Sequence, residues 1–185
     1  MPAEGWLPDS TGVSDYEPEN AGTRRSPSAR TSLLAQRVRT ALGGRFNIST
    51  VYEFANSTCV VDRDVSLDDD VGAKAFLRVF QLRQPLNDGS FPLVGDSMTR
   101  HSLPNGSVVL ENHADDHSVV TAVLARSDGL VVELQVRSET GQDTSGWPTT
   151  MGTSPPSRPP VASPVSVAQA ALLVDEMARL AAAGV

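Results

Sequence analysis

The chain contains little of several residue types that mark common protein classes. Cys59 is the single cysteine among 185 residues, so the chain forms no internal disulfide and no cysteine-ligated zinc site. No window reaches the run of about 18 apolar residues that a membrane-spanning helix needs. Aromatic residues make up 5% of the chain and hydrophobic residues 39%, which is less than most fully packed chains carry. We therefore expect one domain with poorly ordered ends.

Charge is also distributed unevenly. The formal net charge is −7 and the pI is near 4.9, so we expect no sequence-specific nucleic-acid partner. Yet no acidic residue occurs between Glu19 and Glu53. Six arginines lie in that stretch: Arg24, Arg25, Arg30, Arg37, Arg39 and Arg45. The favoured interpretation of this block is a solvated helix face, and the functional alternative is contact with an acidic partner, an anionic lipid or a nucleic acid.

Proline-rich and polar stretches divide the chain. Residues 1–30 are predicted to be a disordered tail, because they hold too few large apolar side chains to offset the entropy of ordering. Residues 139–165 read as a Pro/Ser/Thr-rich linker. No signal peptide or transmembrane segment is present in the sequence as written, which predicts a cytoplasmic protein. If the start is truncated, a membrane-associated or extracytoplasmic location is expected instead.

The core, residues 31–138, is predicted to be α+β. A helix begins at a cap formed by Thr31 or Ser32 and ends at residues 43–44, two glycines. It packs on an antiparallel sheet of about five strands, and Asp128-Gly129 marks a hairpin between the last two.

Residues 166–183 are predicted to be an amphipathic helix that begins with a capping box of Ser166 and Gln169. Leu173, Met177 and Leu180 belong to its apolar stripe. The stripe either packs back on the core or docks on another protein, with self-association as one form of docking.

The tetrapeptide 95–98 resembles the nucleophile turn of GDS-type esterases and of Ser-Lys peptidases. The esterases need an aspartate three residues before a late histidine, but Ala114 stands at that position before His117. The peptidases need a later lysine as base, and Lys74 precedes the serine. We favour a turn, and keep Ser97 as the candidate nucleophile of an alternative hydrolase. His101, His113 and His117 are the candidate bases.

Two further clusters can be weighed as ion sites. Histidine and carboxylate ligands at His113, Asp115, Asp116 and His117 predict, as an alternative function, a metal-binding sensor. A strand-connecting turn is the favoured interpretation. Five aspartates lie within residues 62–70, but neither possible register has the glycine and glutamate of a calcium loop, so this stretch is predicted to be a solvated acidic loop.

Three blocks resemble a family of uncharacterised actinobacterial proteins, the extracytoplasmic tail domains of membrane-anchored or lipoprotein chains. These blocks are residues 103–109, 123–134 and 164–169, similar to the family's Leu-Pro-Asp-Gly-Ser strand, Arg-x-Asp-Gly hairpin and Pro-Leu-Thr-x-x-Gln helix start. The likeness spans residues 31–183. It implies no catalytic residues, and this chain differs from the family in lacking a membrane segment and paired cysteines.

The sequence therefore predicts a non-enzymatic binding or regulatory module that acts through protein–protein contacts and needs no cofactor. Its candidate contact residues are the six arginines of the basic block together with Leu173, Met177 and Leu180.

Overall fold

The computed structural model describes residues 23–86, 98–113, 117–139 and 162–183. They form an α+β fold with one antiparallel sheet of eight strands and two helices. The strands are β1 (Thr23–Arg25), β2 (Asn47–Ala55), β3 (Cys59–Asp68), β4 (Ala73–Leu82), β5 (Thr99–Ser102), β6 (Val108–His113), β7 (His117–Ala125) and β8 (Leu130–Glu139). The helices are α1 (Ala29–Ala41) and α2 (Val167–Ala182).

The strand order across the sheet is β1-β2-β3-β4-β8-β7-β6-β5. The first four strands run from one edge of the sheet, β1, to its centre, β4. The last four run from the opposite edge, β5, to the centre, β8. There β8 pairs with β4 over nine residue pairs, from Ala73 opposite Ser138 to Gln81 opposite Leu130.

Both helices pack on the same face of the sheet. Leu34 and Val38 of α1 and Met177 of α2 are fully buried there, against Leu77 and Leu134 of the central strands. Apolar side chains from alternate positions of β3, β4, β7 and β8 complete this core, as the two-residue period of a strand requires.

The opposite face, called the open face here, carries no helix from the described part of the chain. A smaller apolar cluster lies on it, formed by Cys59, Phe80, Val123 and Val131. The remaining positions on this face are largely polar, since the partners of β3 and β4 include Asp62, Asp64 and Arg78.

The predicted fold class is confirmed, but the strand count of about five is too low. β1 lies within the predicted tail, and β5 was not predicted. The predicted acidic loop is wrong for residues 62–68, which form most of β3. The other residues before Thr23, and most of the predicted linker, lie outside the described residues.

The start of α1 also differs from the prediction. Ser28, not Thr31 or Ser32, is the N-cap, and its hydroxyl accepts a hydrogen bond from the Thr31 amide. Glu53 on β2 explains the shift, because its carboxylate accepts hydrogen bonds from Ser28 and Thr31 and fixes the helix start against the sheet. The helix ends as predicted, with Gly43 and Gly44 at positive φ.

The helix α2 has the predicted capping box of Ser166 and Gln169. Its stripe packs on the core, which is the first of the two predicted arrangements: Leu173 and Met177 are buried against the sheet, and Leu180 packs on the same core. Partner binding or self-association through these three residues stays a prediction. No helix in the described ranges is long and apolar enough to cross a membrane.

Candidate functional site

Four charged residues on the open face form a cluster, called the charge cluster here: Asp62, Asp64, Arg78 and Glu133. The strand register assembles them. Asp64 lies opposite Arg78, and Arg78 lies opposite Glu133, so three neighbouring strands place these side chains in one row. Asp62 precedes Asp64 by two residues and therefore points to the same face.

Arg78 is held by the two aspartates of β3. Its Nε lies 2.9 Å from Asp62 Oδ1, and its Nη2 bonds Asp62 Oδ2, which gives a bidentate ion pair. Asp64 Oδ1 lies farther from Arg78 Nε, at 3.5 Å, and this buried oxygen accepts no hydrogen bond. The guanidinium also stacks over Phe80, 5.0 Å from the ring centre.

The cluster combines three carboxyl groups with one guanidinium, and its side chains are largely shielded from solvent. Asp62 and Glu133 are only 4% and 5% exposed. Burial, assisted by the charge of Asp62, raises the pKa of Asp64 to about 7. Burial likewise raises the pKa of Glu133 to about 7, since the charge of Arg78 offsets only part of the desolvation.

Sequence reasoning missed this cluster because it assigned Asp62 and Asp64 to a loop. The alternation in residues 61–68 was a usable signal, with Val61, Val65 and Leu67 on one side and acidic residues between them. The contribution of Glu133 could not be read from the sequence, because the pairing of β4 with β8 places it opposite Arg78, which lies 55 positions earlier in the chain.

The basic block is arranged along α1 and its flanks. Arg30, Leu33 and Arg37 share one outward stripe of the helix, and Leu33 is 45% exposed. Arg25 on β1 and Arg37 are exposed and make no ion pair with the described residues. We call the exposed set of Arg25, Leu33 and Arg37 the basic surface.

The other arginines of the block are not equally free. Arg39 is half-buried, and its Nε donates to the Phe46 carbonyl at 3.0 Å, which ties the end of α1 to the sheet. Arg45 Nε lies 3.7 Å from Asp69 Oδ2. Both residues line a pocket of about 270 Å³ together with Glu139. The position of the Arg24 side chain lies outside the described part of the structure.

The predicted metal ligands do not converge. His113 pairs with Ser118, so these two side chains lie on the same face of the sheet. His117 is next to Ser118 in β7 and therefore points to the other face. Asp115 and Asp116 lie outside the described residues. Within the described ranges, no group of three histidine, cysteine, aspartate or glutamate residues could hold a metal ion.

His113 instead joins a different group. Glu111 bridges two histidines at the sheet edge, with Oε1 2.8 Å from His101 Nε2 and Oε2 3.3 Å from His113 Nε2. The bond from His101 is the main reason that the pKa of Glu111 is lowered. These histidines are thus engaged by a carboxylate, and Ser97, the serine they were predicted to serve, lies outside the described residues.

Cys59 is buried, as its apolar neighbours in the sequence indicate. Burial raises the pKa of its thiol to about 11, so the thiolate needed for nucleophilic chemistry is scarce near neutral pH.

Comparison with known proteins gives no further assignment: no family model matches the chain, and no curated protein or solved structure matches it significantly. The resemblance to actinobacterial tail domains stays a prediction, and function has to be argued from the residues of this chain.

Proposed function

We propose that this protein is a non-enzymatic binding module that acts through protein–protein contacts, and that its basic surface binds an acidic segment of a partner. The cytoplasmic location predicted from the sequence belongs to this proposal.

The observation that supports it most is the exposed pair of Arg25 and Arg37, which have no ion-pair partner among the described residues. Exposed arginines beside an exposed leucine are typical of contact surfaces, because arginine and apolar groups together supply both directional bonds and buried area. The helix α1 carries no aspartate or glutamate of its own, so no residue of the helix offsets the charge of Arg37.

An acidic protein segment fits this surface better than a nucleic acid does. No aromatic side chain occurs between Arg24 and Arg45 to stack on bases, and a chain with net charge −7 repels a long polyanion. A short acidic segment contacts only the basic surface and avoids most of that repulsion.

Binding of a fluorescent Glu/Asp-rich peptide, followed by anisotropy at low salt, tests the proposal. We expect Arg37→Glu to weaken binding by about tenfold or more, because it converts an attraction into a repulsion. Arg179→Glu is the matched control, since Arg179 is an exposed helical arginine already paired with Asp175. Equal effects of the two substitutions would refute a specific role for the basic surface.

Site-specific photo-crosslinking in the host locates the natural contact. Leu33 and Leu172 are both exposed leucines on helices, but only Leu33 lies between arginines. A photoreactive residue at position 33 should yield a cross-linked protein that Arg37→Glu abolishes, whereas position 172 should not. The same product from both positions, or no product from position 33, would count against the proposal.

A further inference from the structure

We infer that the pocket beside Arg45 is a second binding site, which takes a small free α-amino acid with an aliphatic side chain. The ammonium group of the ligand bonds Asp69, its carboxylate pairs with Arg45, and its side chain lies along the apolar edge of the pocket. This site shares no residue with the basic surface.

Four segments of the chain meet at the pocket. Arg45 lies two residues before Asn47, and the pairing of Asn47 with Asp68 brings the arginine beside the β3–β4 turn. At the other end of that turn, Ala73 pairs with Ser138 of β8. The segment that leads into α2 forms the remaining wall, with the residues Ala162, Ser163 and Pro164. The site is therefore assembled by the folded sheet and not by a single loop.

Asp69 contributes an acceptor that the described chain does not use. Its side chain is 2% exposed, and its Oδ1 accepts hydrogen bonds from the amides of Val71 at 3.0 Å and Ala73 at 2.6 Å, which fixes the carboxylate. Its Oδ2 is buried and accepts no hydrogen bond from a described residue, and Arg45 Nε is 3.7 Å away, which is beyond hydrogen-bond distance. A buried carboxylate oxygen without a donor is costly, so a ligand that brings N–H donors is favoured here.

Arg45 supplies the opposite charge. Its side chain is half-exposed, and its guanidinium lies over the ring of Phe46, 5.3 Å from the ring centre. The other carboxylate among the lining residues, Glu139, is paired with Arg137, with 2.7 Å between Oε1 and Nε. The pocket thus presents one positive and one negative group side by side. An α-amino acid carries its ammonium and carboxylate groups on one carbon and can bond both.

The size and lining of the pocket narrow the choice of ligand. Its volume of about 270 Å³ lies below the roughly 300–1,000 Å³ of sites for drug-sized molecules, which favours a small ligand. Val71, which is 75% exposed, and Pro164 give the pocket an apolar edge that suits an aliphatic side chain. A divalent cation or a phosphate fits less well, because Arg45 or Asp69 would repel it.

The test is an NMR titration of the full chain with L-leucine at pH 7 and constant ionic strength. We expect saturable shifts of the amides of Val71, Ala73 and Ser138. Two analogues of leucine each lack one charged group: 4-methylpentanoate has no ammonium group, and 3-methylbutylamine has no carboxylate. Each should bind more weakly than leucine by about tenfold or more, because one charge-assisted bond is lost.

Two matched pairs of substitutions locate the site. Asp69→Asn keeps an oxygen that accepts from the turn amides but removes the negative charge, and it should weaken leucine binding by about tenfold or more. Asp70→Asn, at the exposed aspartate next in the chain, is its control. Arg45→Gln should weaken binding to a similar extent, and Arg126→Gln is its control, since Arg126 is an exposed arginine paired with Asp128.

Arg45→Gln decides the test on its own if Asp69→Asn disturbs the turn, because the Arg45 side chain is half-exposed. Three results would overturn the inference: no saturable binding of leucine, binding of either analogue as tight as that of leucine, or equal effects of Arg45→Gln and its control.

Discussion

At the scale of single residues, the unusual feature is a carboxylate that the fold keeps out of water. Glu133 lies in the middle of β8, and its nearest described counter-charge, Arg78, is bonded to Asp62. Perturbed ionisable groups of this kind occur preferentially at functional sites. Burial without full compensation lowers the free energy of unfolding, so the effect of Glu133 on stability should be measurable.

Substitution Glu133→Gln is expected to stabilise the protein at alkaline pH. The folded-state pKa of Glu133 is raised from 4.5 to about 7. The stability associated with this group is fully present below about pH 4.5 and is lost as the pH rises through 7. The variant avoids that loss, so its free energy of unfolding should exceed that of the wild type by about 3 kcal/mol at pH 8.5, with little difference at pH 4.

Urea unfolding at the two pH values measures this difference. Glu176→Gln, on the exposed side of α2, serves as the control and should change stability little at either pH. A Glu133→Gln variant that is less stable than the wild type at pH 8.5 would show that the carboxylate is well satisfied in the folded protein.

At the scale of elements, the strength of the local signal decided which predictions succeeded. α2 was predicted with its cap because Ser166 and Gln169 act within one turn of helix. The turn at Asp128-Gly129 was predicted for the same reason, and Gly129 has the positive φ that this turn requires. β1 was missed because three residues at a sheet edge are fixed by pairing with Glu53 to Ala55, which is a tertiary contact.

The candidate site shows the same limit. The arginines of the basic block could be predicted as a charged surface, since a helix period places Arg30 and Arg37 together. The charge cluster could not, because it depends on which strands are neighbours in the sheet. The sequence left two arrangements open for the stripe of Leu173 and Met177, because an amphipathic stripe does not reveal whether its own core or another protein covers it.

The packing of α2 can be tested with a pair of substitutions on one helix. Met177 is fully buried and Leu172 is 67% exposed. Met177→Ala should lower the free energy of unfolding by about 2–5 kcal/mol, because it leaves a cavity between α2 and the sheet. Leu172→Ala should change it by less than about 0.5 kcal/mol. Similar values for the two variants in denaturant unfolding would mean that α2 does not pack as described.

At the scale of the whole molecule, the pairing of β4 with β8 holds the two halves of the sheet together. β1 to β4 and β5 to β8 are each built from chain neighbours, and the long central pairing is the only strand contact between the halves in the described residues. The helices cover the inner strands: α2 packs on β7 and β8, and α1 packs on β2 and contacts α2. The edge strands β1 and β5 have no comparable helix packing among the described residues.

Native-state hydrogen exchange should therefore rank the strands by their distance from the centre. The amides of Leu77 and Leu134, buried in the middle of the β4–β8 pairing, should exchange only through global unfolding and share one high protection value. The amides of β1 and β5, at the two edges, should exchange by local opening and lose protection first. If β4 and β8 lost protection before β2 or β7, the two halves would have to be separate folding units joined by a weak seam, because a single cooperative sheet cannot open first at its centre.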